Sequence, residues 1–163
     1  MRIYGVTGWK NAGKTGLVER LVAEITTRGF TVSTVKHTHH AVDLDRAGTD
    51  THRHRVSGAA EVMLASGSRW ALMHEHRDVP EPDLDALVHR MAPVDLILVE
   101  GFKRAPHPKV EAHRASEKNP LIAPENPSIR AIATDTPLQT GLPQFDLDDT
   151  AAIADFILQE VGL

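Results

Sequence analysis

A chain of 163 residues with 18 basic and 22 acidic side chains carries a net charge of −4, so it has no positive excess with which to hold nucleic acid or an anionic membrane. It has no cysteine, which excludes disulfides, thiolate metal sites and cysteine nucleophiles. Its length fits a single domain over positions 1–163; no apolar run reaches membrane-spanning length, and a strand and glycine loop stand where a cleavable leader would, so a cytoplasmic location is expected.

Arg2 to Thr7 reads as a short strand of β-branched and aromatic residues. It runs into Gly8-Trp9-Lys10-Asn11-Ala12-Gly13-Lys14-Thr15, the pattern G-x-x-x-x-G-K-S/T of a phosphate-binding loop. In such a loop glycines let the backbone curl so that its N–H groups point at phosphates, the lysine bridges the terminal phosphates and the hydroxyl ligates magnesium. The expected nucleoside triphosphate contacts are Gly8, Lys10, Asn11, Ala12, Gly13, Lys14, Thr15 and Gly16, with Lys14 also acting in catalysis and Thr15 on the metal. Lys10 reads either as a further phosphate contact, in this or a partner subunit, or as a solvated lysine. Leu17, Leu21 and Ile25, with Val18 and Val22 beside them, put one apolar stripe on the helix that follows, and Gly29 stops it.

A second strand is expected at Phe30 to Lys36, then a polar stretch from His37 to Arg55. Five of the ten histidines, His37, His39, His40, His52 and His54, fall in that stretch, a density that points to a shared purpose. One reading is a transition-metal site with His39, His40 and a carboxylate. Another is a second anionic substrate or partner, met by Arg53 and Arg55 as forked donors and by His37, His39 and His40. The third is a solvated loop. Asp43 and Asp45 follow the second strand, where a carboxylate can position magnesium-bound water or the attacking water, and are candidate catalytic groups. Asp50 can cap a short helix over Thr51 to Ser57.

Ala60 to Ala65 and Arg69 to His74 flank Ser66-Gly67-Ser68 as a β-hairpin. Leu84, Leu87, Val88 and Met91 mark a short helix from about Pro82 that ends before Pro93. Val94 to Val99 is the most apolar strand, as buried parallel strands are, and it delivers Glu100 to the sheet edge that carries the glycine loop. Glu100 is therefore the expected second magnesium group; Asp95 lies at the far end of the strand, roughly 16 Å away. Lys109 to His113 and Ile129 to Thr134 are further strands, separated by a segment with Pro120, Pro124 and Pro127 that reads as a mobile loop. A final helix runs from about Thr150 to Val161, with Ile153, Phe156, Ile157 and Val161 on one face. The predicted fold is α/β: a phosphate-loop NTPase three-layer fold with a twisted, mostly parallel mixed sheet and an inserted β-hairpin.

Four blocks taken in order resemble the molybdopterin-guanine dinucleotide biosynthesis protein B family (MobB): the octet Gly8 to Thr15, Val35-Lys36-His37-Thr38-His39-His40, Gly48-Thr49-Asp50-Thr51-His52-Arg53-His54-Arg55, and Leu98-Val99-Glu100-Gly101-Phe102-Lys103 with Pro108-Lys109-Val110-Glu111. The resemblance implies a dimeric GTP-binding adapter with weak GTP hydrolysis, which assists the MobA-type guanylyltransferase that joins GMP to molybdopterin. It implies GTP on the glycine loop, magnesium on Thr15 and Glu100, and the His37–Arg55 stretch facing nucleotide or pterin. The chain departs from related loops at Gly16, where a second hydroxyl is common, and it has no Asn-Lys-x-Asp guanine motif; Asp135, after the Ile129–Thr134 strand, is the positional candidate for a guanine contact. Two alternatives remain at this point: a metal-delivery GTPase that uses His39, His40, His52 and His54, and a small-molecule kinase, which would need lid arginines that the segment between Arg114 and Arg130 lacks.

Overall fold

A computed structural model describes residues 1–38 and 42–163. Its elements are β1 (Arg2–Thr7), α1 (Lys14–Thr27), β2 (Val32–Lys36), α2 (Asp50–Val56), β3 (Glu61–Ala65), β4 (Trp70–His74), α3 (Leu84–Val88), β5 (Leu96–Glu100), β6 (Lys109–His113), β7 (Ile129–Thr134), β8 (Gln144–Asp146) and α4 (Thr150–Val161). Contacts divide the chain into two compact units: Met1–Thr38 with Met91–Leu163, and His39–Arg90.

The first unit is built on a six-stranded sheet in the order β2-β5-β1-β6-β7-β8, every neighbouring pair parallel. Parallel pairing sends all six carboxyl ends to one edge, so the loops after β1, β5 and β6 begin there, and the chain leaves β2 from the same edge. One face of the sheet presents Tyr4, Val6, Leu96, Leu98, Val110, Ala112, Ala131 and Ala133 to α1 and α4. The stripe anticipated on α1 is the buried one: Leu17, Val18, Leu21 and Ile25 enter this core, each such side chain contributing about 1.5–3 kcal/mol by leaving water. Arg2 ties the two ends together, donating from Nε to Val161 O at 2.8 Å and from Nη2 to Gly162 O at 2.9 Å.

The opposite face carries apolar Ile97, Val99 and Ile132 but also a polar row, because β6 alternates Lys109, Glu111 and His113 on that side, all buried. Each answers to an irregular segment laid over the strand. The Lys109 ammonium donates to Ala105 O, to His107 O at 2.7 Å and to Ser128 Oγ at 2.9 Å. The Glu111 carboxylate accepts from Ile122 N and Ala123 N, both at 2.8 Å. His113 Nε2 lies 3.3 Å from Asn119 O. The proline-rich stretch expected as a mobile loop is thus a fastened layer, shaped by two 3₁₀ turns at Ala115–Glu117 and Ala123–Glu125. Gly5 is needed here for space, since a Cβ would sit 2.6 Å from His107 Nε2.

In the second unit β3 and β4 form an antiparallel hairpin that pairs as its own two-stranded sheet. The helix at 50–56 starts one residue earlier than expected: Thr49, in an extended conformation, stands at the cap position and Asp50 is already helical. Asp83 caps α3, accepting from Ala86 N at 2.8 Å. Among the described residues no helix is long and apolar enough to cross a membrane.

Candidate functional site

The loop after β1 takes a shape that only particular residues allow. Gly8 (φ 144°), Asn11 (φ 64°) and Gly13 (φ 92°) occupy the positive-φ region that glycine, and less readily asparagine, tolerates. At Gly8 there is also no room, because a Cβ would stand 2.4 Å from the Ala112 carbonyl oxygen. Gly13 stands at the cap of α1 without a capping side chain, so the first N–H groups of this 14-residue helix are left to the loop. A curled backbone feeding a helix N-terminus is an anion-binding arrangement.

Side chains from two strand ends and the first turn of α1 converge on it. Thr15, on the first turn of α1, donates from Oγ1 to Glu100 Oε1 at 3.0 Å. Glu100 ends β5, is buried, and stands in register with Val6 of β1 and Lys36 of β2. The Lys36 ammonium lies 3.2 Å from Glu100 Oε1 and 3.4 Å from Thr15 Oγ1. Lys14 donates to Trp9 O at 2.6 Å. Burial pushes the Lys14 ammonium below its ordinary value; Glu100 opposes this, and neighbouring Lys103 and Lys36 add to it. Three lysines crowded near one carboxylate at a helix N-terminus repel one another, a repulsion that a bound polyanion would relieve.

Trp9 anchors the loop's outer rim. Its Nε1 donates to Pro120 O at 2.7 Å, and the Lys103 ammonium lies 4.2 Å from the ring centroid, within cation–π range. His37 hydrogen-bonds through its backbone N to Glu100 O at 2.9 Å and stacks on Phe102 with centroids 4.4 Å apart. Gly101 makes that approach possible, as a Cβ there would stand 3.1 Å from His37 Cβ and O. Lys10 and Gly16 lie on the loop and its helix, Lys10 exposed. Asp135 accepts from Ala115 N at 3.0 Å and so fastens the first 3₁₀ turn at the same sheet edge. Asp95, at the opposite edge, accepts from Thr31 N at 2.8 Å and Thr31 Oγ1 at 2.7 Å.

The other expected residues belong to the second unit, where they form a cluster of their own. Arg55 Nη2 donates to both oxygens of Asp43 at 2.8 and 2.9 Å, Nη1 donates to Glu75 Oε1 at 3.1 Å, and Nε lies 3.5 Å from Asp45 Oδ2. Asp45 accepts from Thr51 Oγ1 at 2.8 Å. The Asp45 backbone N–H and then Arg55 hold the Asp43 carboxyl below the usual range, and Asp43 and Glu75 push Arg55 up. In this arrangement the fork read as a phosphate contact grips carboxylates of the same unit. Arg53 is exposed and only 3.9 Å from Asp50. His39 and His40 lie outside the described residues. Among the described residues no three His, Asp or Glu side chains converge as a metal site.

Lys36, Lys103 and Trp9 are the contributors that motif reading left without a role. Lys36 was detectable in principle, since a lysine that closes the strand beside the Glu100 strand must reach the same edge.

The family model described as "Molybdopterin guanine dinucleotide synthesis protein B" (MobB) matches residues 3–135. The chain is 40% identical over 159 residues to a "Molybdopterin-guanine dinucleotide biosynthesis adapter protein" of Haemophilus influenzae, covering 95% of this chain and 86% of that one. It is 38% identical to the Escherichia coli protein of the same description, covering 96% and 91%. Among solved structures it is similar to a Bacillus subtilis MobB (TM-score 0.76, 27% identity, 99% and 98% covered) and to a MobB homolog from Bacillus stearothermophilus (TM-score 0.73, 29% identity, 99% of both). The chain shares its α/β fold with these structures over almost its whole length, and it belongs to the MobB family.

Proposed function

We propose that the chain is a GTP-binding adapter of molybdopterin guanine dinucleotide biosynthesis, which holds magnesium GTP on its glycine loop, hydrolyses it weakly and assists the guanylyltransferase of that pathway as a homodimer. The observation that carries the nucleotide part is the meeting of Lys14, Thr15 and Glu100 at the N-terminus of α1. A hydroxyl and a carboxylate 3.0 Å apart are two hard oxygen donors of the kind magnesium takes, so the residues fit the ion. When bound, magnesium supplies charge neutralisation of the terminal phosphate oxygens. The chain's own share is to cradle phosphates with the N–H groups of residues 11–15, to set the Lys14 ammonium on the terminal groups and to orient Thr15 through Glu100.

The adapter part is supported by the relatives' descriptions, and the dimer part by the hairpin. Met63, Leu72 and Trp70 share one face of it, since Met63 pairs with Leu72 and Ala65 with Trp70, and they are 59%, 42% and 66% exposed. Calorimetric titration with GTP and ATP in magnesium tests the nucleotide reading: GTP binds more tightly, and equal or tighter ATP binding refutes it. Co-purification with the guanylyltransferase and sedimentation of the chain alone test the partner and the dimer.

A further inference from the structure

The proposed function assigns nothing to Lys36, yet its ammonium closes a triangle with the two oxygens assigned to magnesium. Thr15 Oγ1 and Glu100 Oε1 are 3.0 Å apart, and Lys36 Nζ stands 3.4 and 3.2 Å from them. An ammonium in that position neutralises Glu100 as a metal cation would, and it cannot remain beside a divalent cation on the same oxygens, because like charges so close repel strongly.

The backbone of Lys36 has little freedom to leave: it is paired in register with Glu100, and the next residue donates from His37 N to Glu100 O at 2.9 Å. The side chain does have that freedom. It is 59% exposed, on a flexible four-carbon stem. A displaced ammonium therefore swings within one stem length of Glu100, and the new anion in that reach is the terminal phosphate that the cation and Lys14 hold.

We infer that Lys36 distinguishes a nucleoside triphosphate from a diphosphate: its ammonium pairs with Glu100 and Thr15 until a magnesium triphosphate takes those oxygens, and then pairs with the terminal phosphate. A diphosphate displaces the lysine but provides no terminal phosphate to receive it. The inference rests on the nucleotide reading proposed above.

The test uses the full chain, wild type and Lys36→Met, Lys36→Gln and Lys36→Arg, titrated calorimetrically with GTP and with GDP in magnesium. Loss of one charge-assisted contact lowers the ratio of GTP to GDP affinity of the Met and Gln variants about tenfold, GDP binding being unchanged or tighter because no ammonium has to be displaced, and Lys36→Arg keeps most of the GTP preference. A second readout is Mn²⁺ alone, followed by electron paramagnetic resonance. It binds the Met and Gln variants more tightly than wild type, because the competing ammonium is gone. A wild-type ratio of GTP to GDP affinity in both neutral variants overturns the inference and leaves the nucleotide reading intact. Equal loss of both nucleotides at unchanged melting temperature overturns it too, since the lysine would then be a general electrostatic contact. A wild-type chain that binds neither nucleotide removes the nucleotide reading and this inference with it.

Discussion

Replacing Glu111 with alanine tests whether the 114–128 segment is held by the polar row of β6. The carboxylate is fully buried and accepts from Ile122 N and Ala123 N at 2.8 Å each. Hydrogen bonds to a charged acceptor contribute about 1.5–3 kcal/mol each, and part of that is offset by the desolvation the carboxylate no longer suffers, so Glu111→Ala costs about 3 kcal/mol. For a chain of 163 residues this is a fall in melting temperature of about 6–12 °C, read by circular dichroism. Trp9 provides a local readout, because its Nε1 donates to Pro120 O on the same segment; in a Trp70→Phe background its fluorescence shifts when the segment is released. Glu111→Gln retains one acceptor but turns an amide N–H₂ toward a backbone N–H, so it loses roughly half as much. Burial lifts the Glu111 carboxyl above its ordinary value, against the two N–H bonds that lower it. The folded chain therefore keeps a proton the unfolded chain has lost, and stability falls as pH rises from the ordinary glutamate value through the raised one; Glu111→Gln flattens that slope. A melting temperature of Glu111→Ala within about 2 °C of wild type refutes the reasoning.

Lys109 titrates with the opposite sign. Burial pushes it down to about 8, against about 10.4 in an unfolded chain, so between those values the unfolded chain binds the extra proton and stability rises with pH. Urea unfolding from about pH 7.5 to 10 shows this rise in wild type and its absence in Lys109→Met. Gly8→Ala, which sets a Cβ 2.4 Å from the Ala112 carbonyl at a φ of 144°, lowers stability by about 1–3 kcal/mol and abolishes GTP binding; normal titration of this variant would show that the loop tolerates a different path. Lys14→Ala loses measurable GTP affinity while its melting temperature holds or rises, because a repelling cation has been removed from the cluster. Wild-type affinity in that variant contradicts the central assignment.

The parts of the fold written in strong local signals were legible. The glycine octet, the stripe Leu17, Leu21, Ile25 and the apolar run into Glu100 each have one physical solution; β1 and α1 stand where those signals put them, and β5 runs from Leu96 to Glu100 rather than from Val94 to Val99. α4 begins and ends as expected because Asp149 caps it, accepting from Ala152 N, and Gly162 closes it in a left-handed conformation. β8 went unread because Gln144-Phe145-Asp146 is too short for any period to appear; pairing with β7 makes it a strand. β2 starts at Val32 rather than Phe30 because the chain first turns through Gly29 and anchors Thr31 on Asp95. At the site, the motif positions Lys14, Thr15 and Glu100 come together, whereas no motif marks Lys36, Lys103 or Trp9. A lysine at a strand end looks like a solvated charge until the neighbouring strand is known. Lys109 and Glu111 are legible as strand residues but not as a buried polar row, because a buried charge is indistinguishable in sequence from an exposed one.

The order β2-β5-β1 has a kinetic consequence. The two strands formed by the first residues of the chain are separated by β5, so β1, α1 and β2 cannot complete any ladder with one another as they leave the ribosome. They must wait until the entire second unit, 39–90, has been synthesised and Leu96–Glu100 inserts between them. Non-local parallel pairing of this kind is slow, since the loop has to be closed before any contact repays it. The same strand that joins β1 to β2 brings Glu100 to Thr15 and Lys36, so the pairing that closes this part of the sheet also sets the carboxylate at the glycine loop.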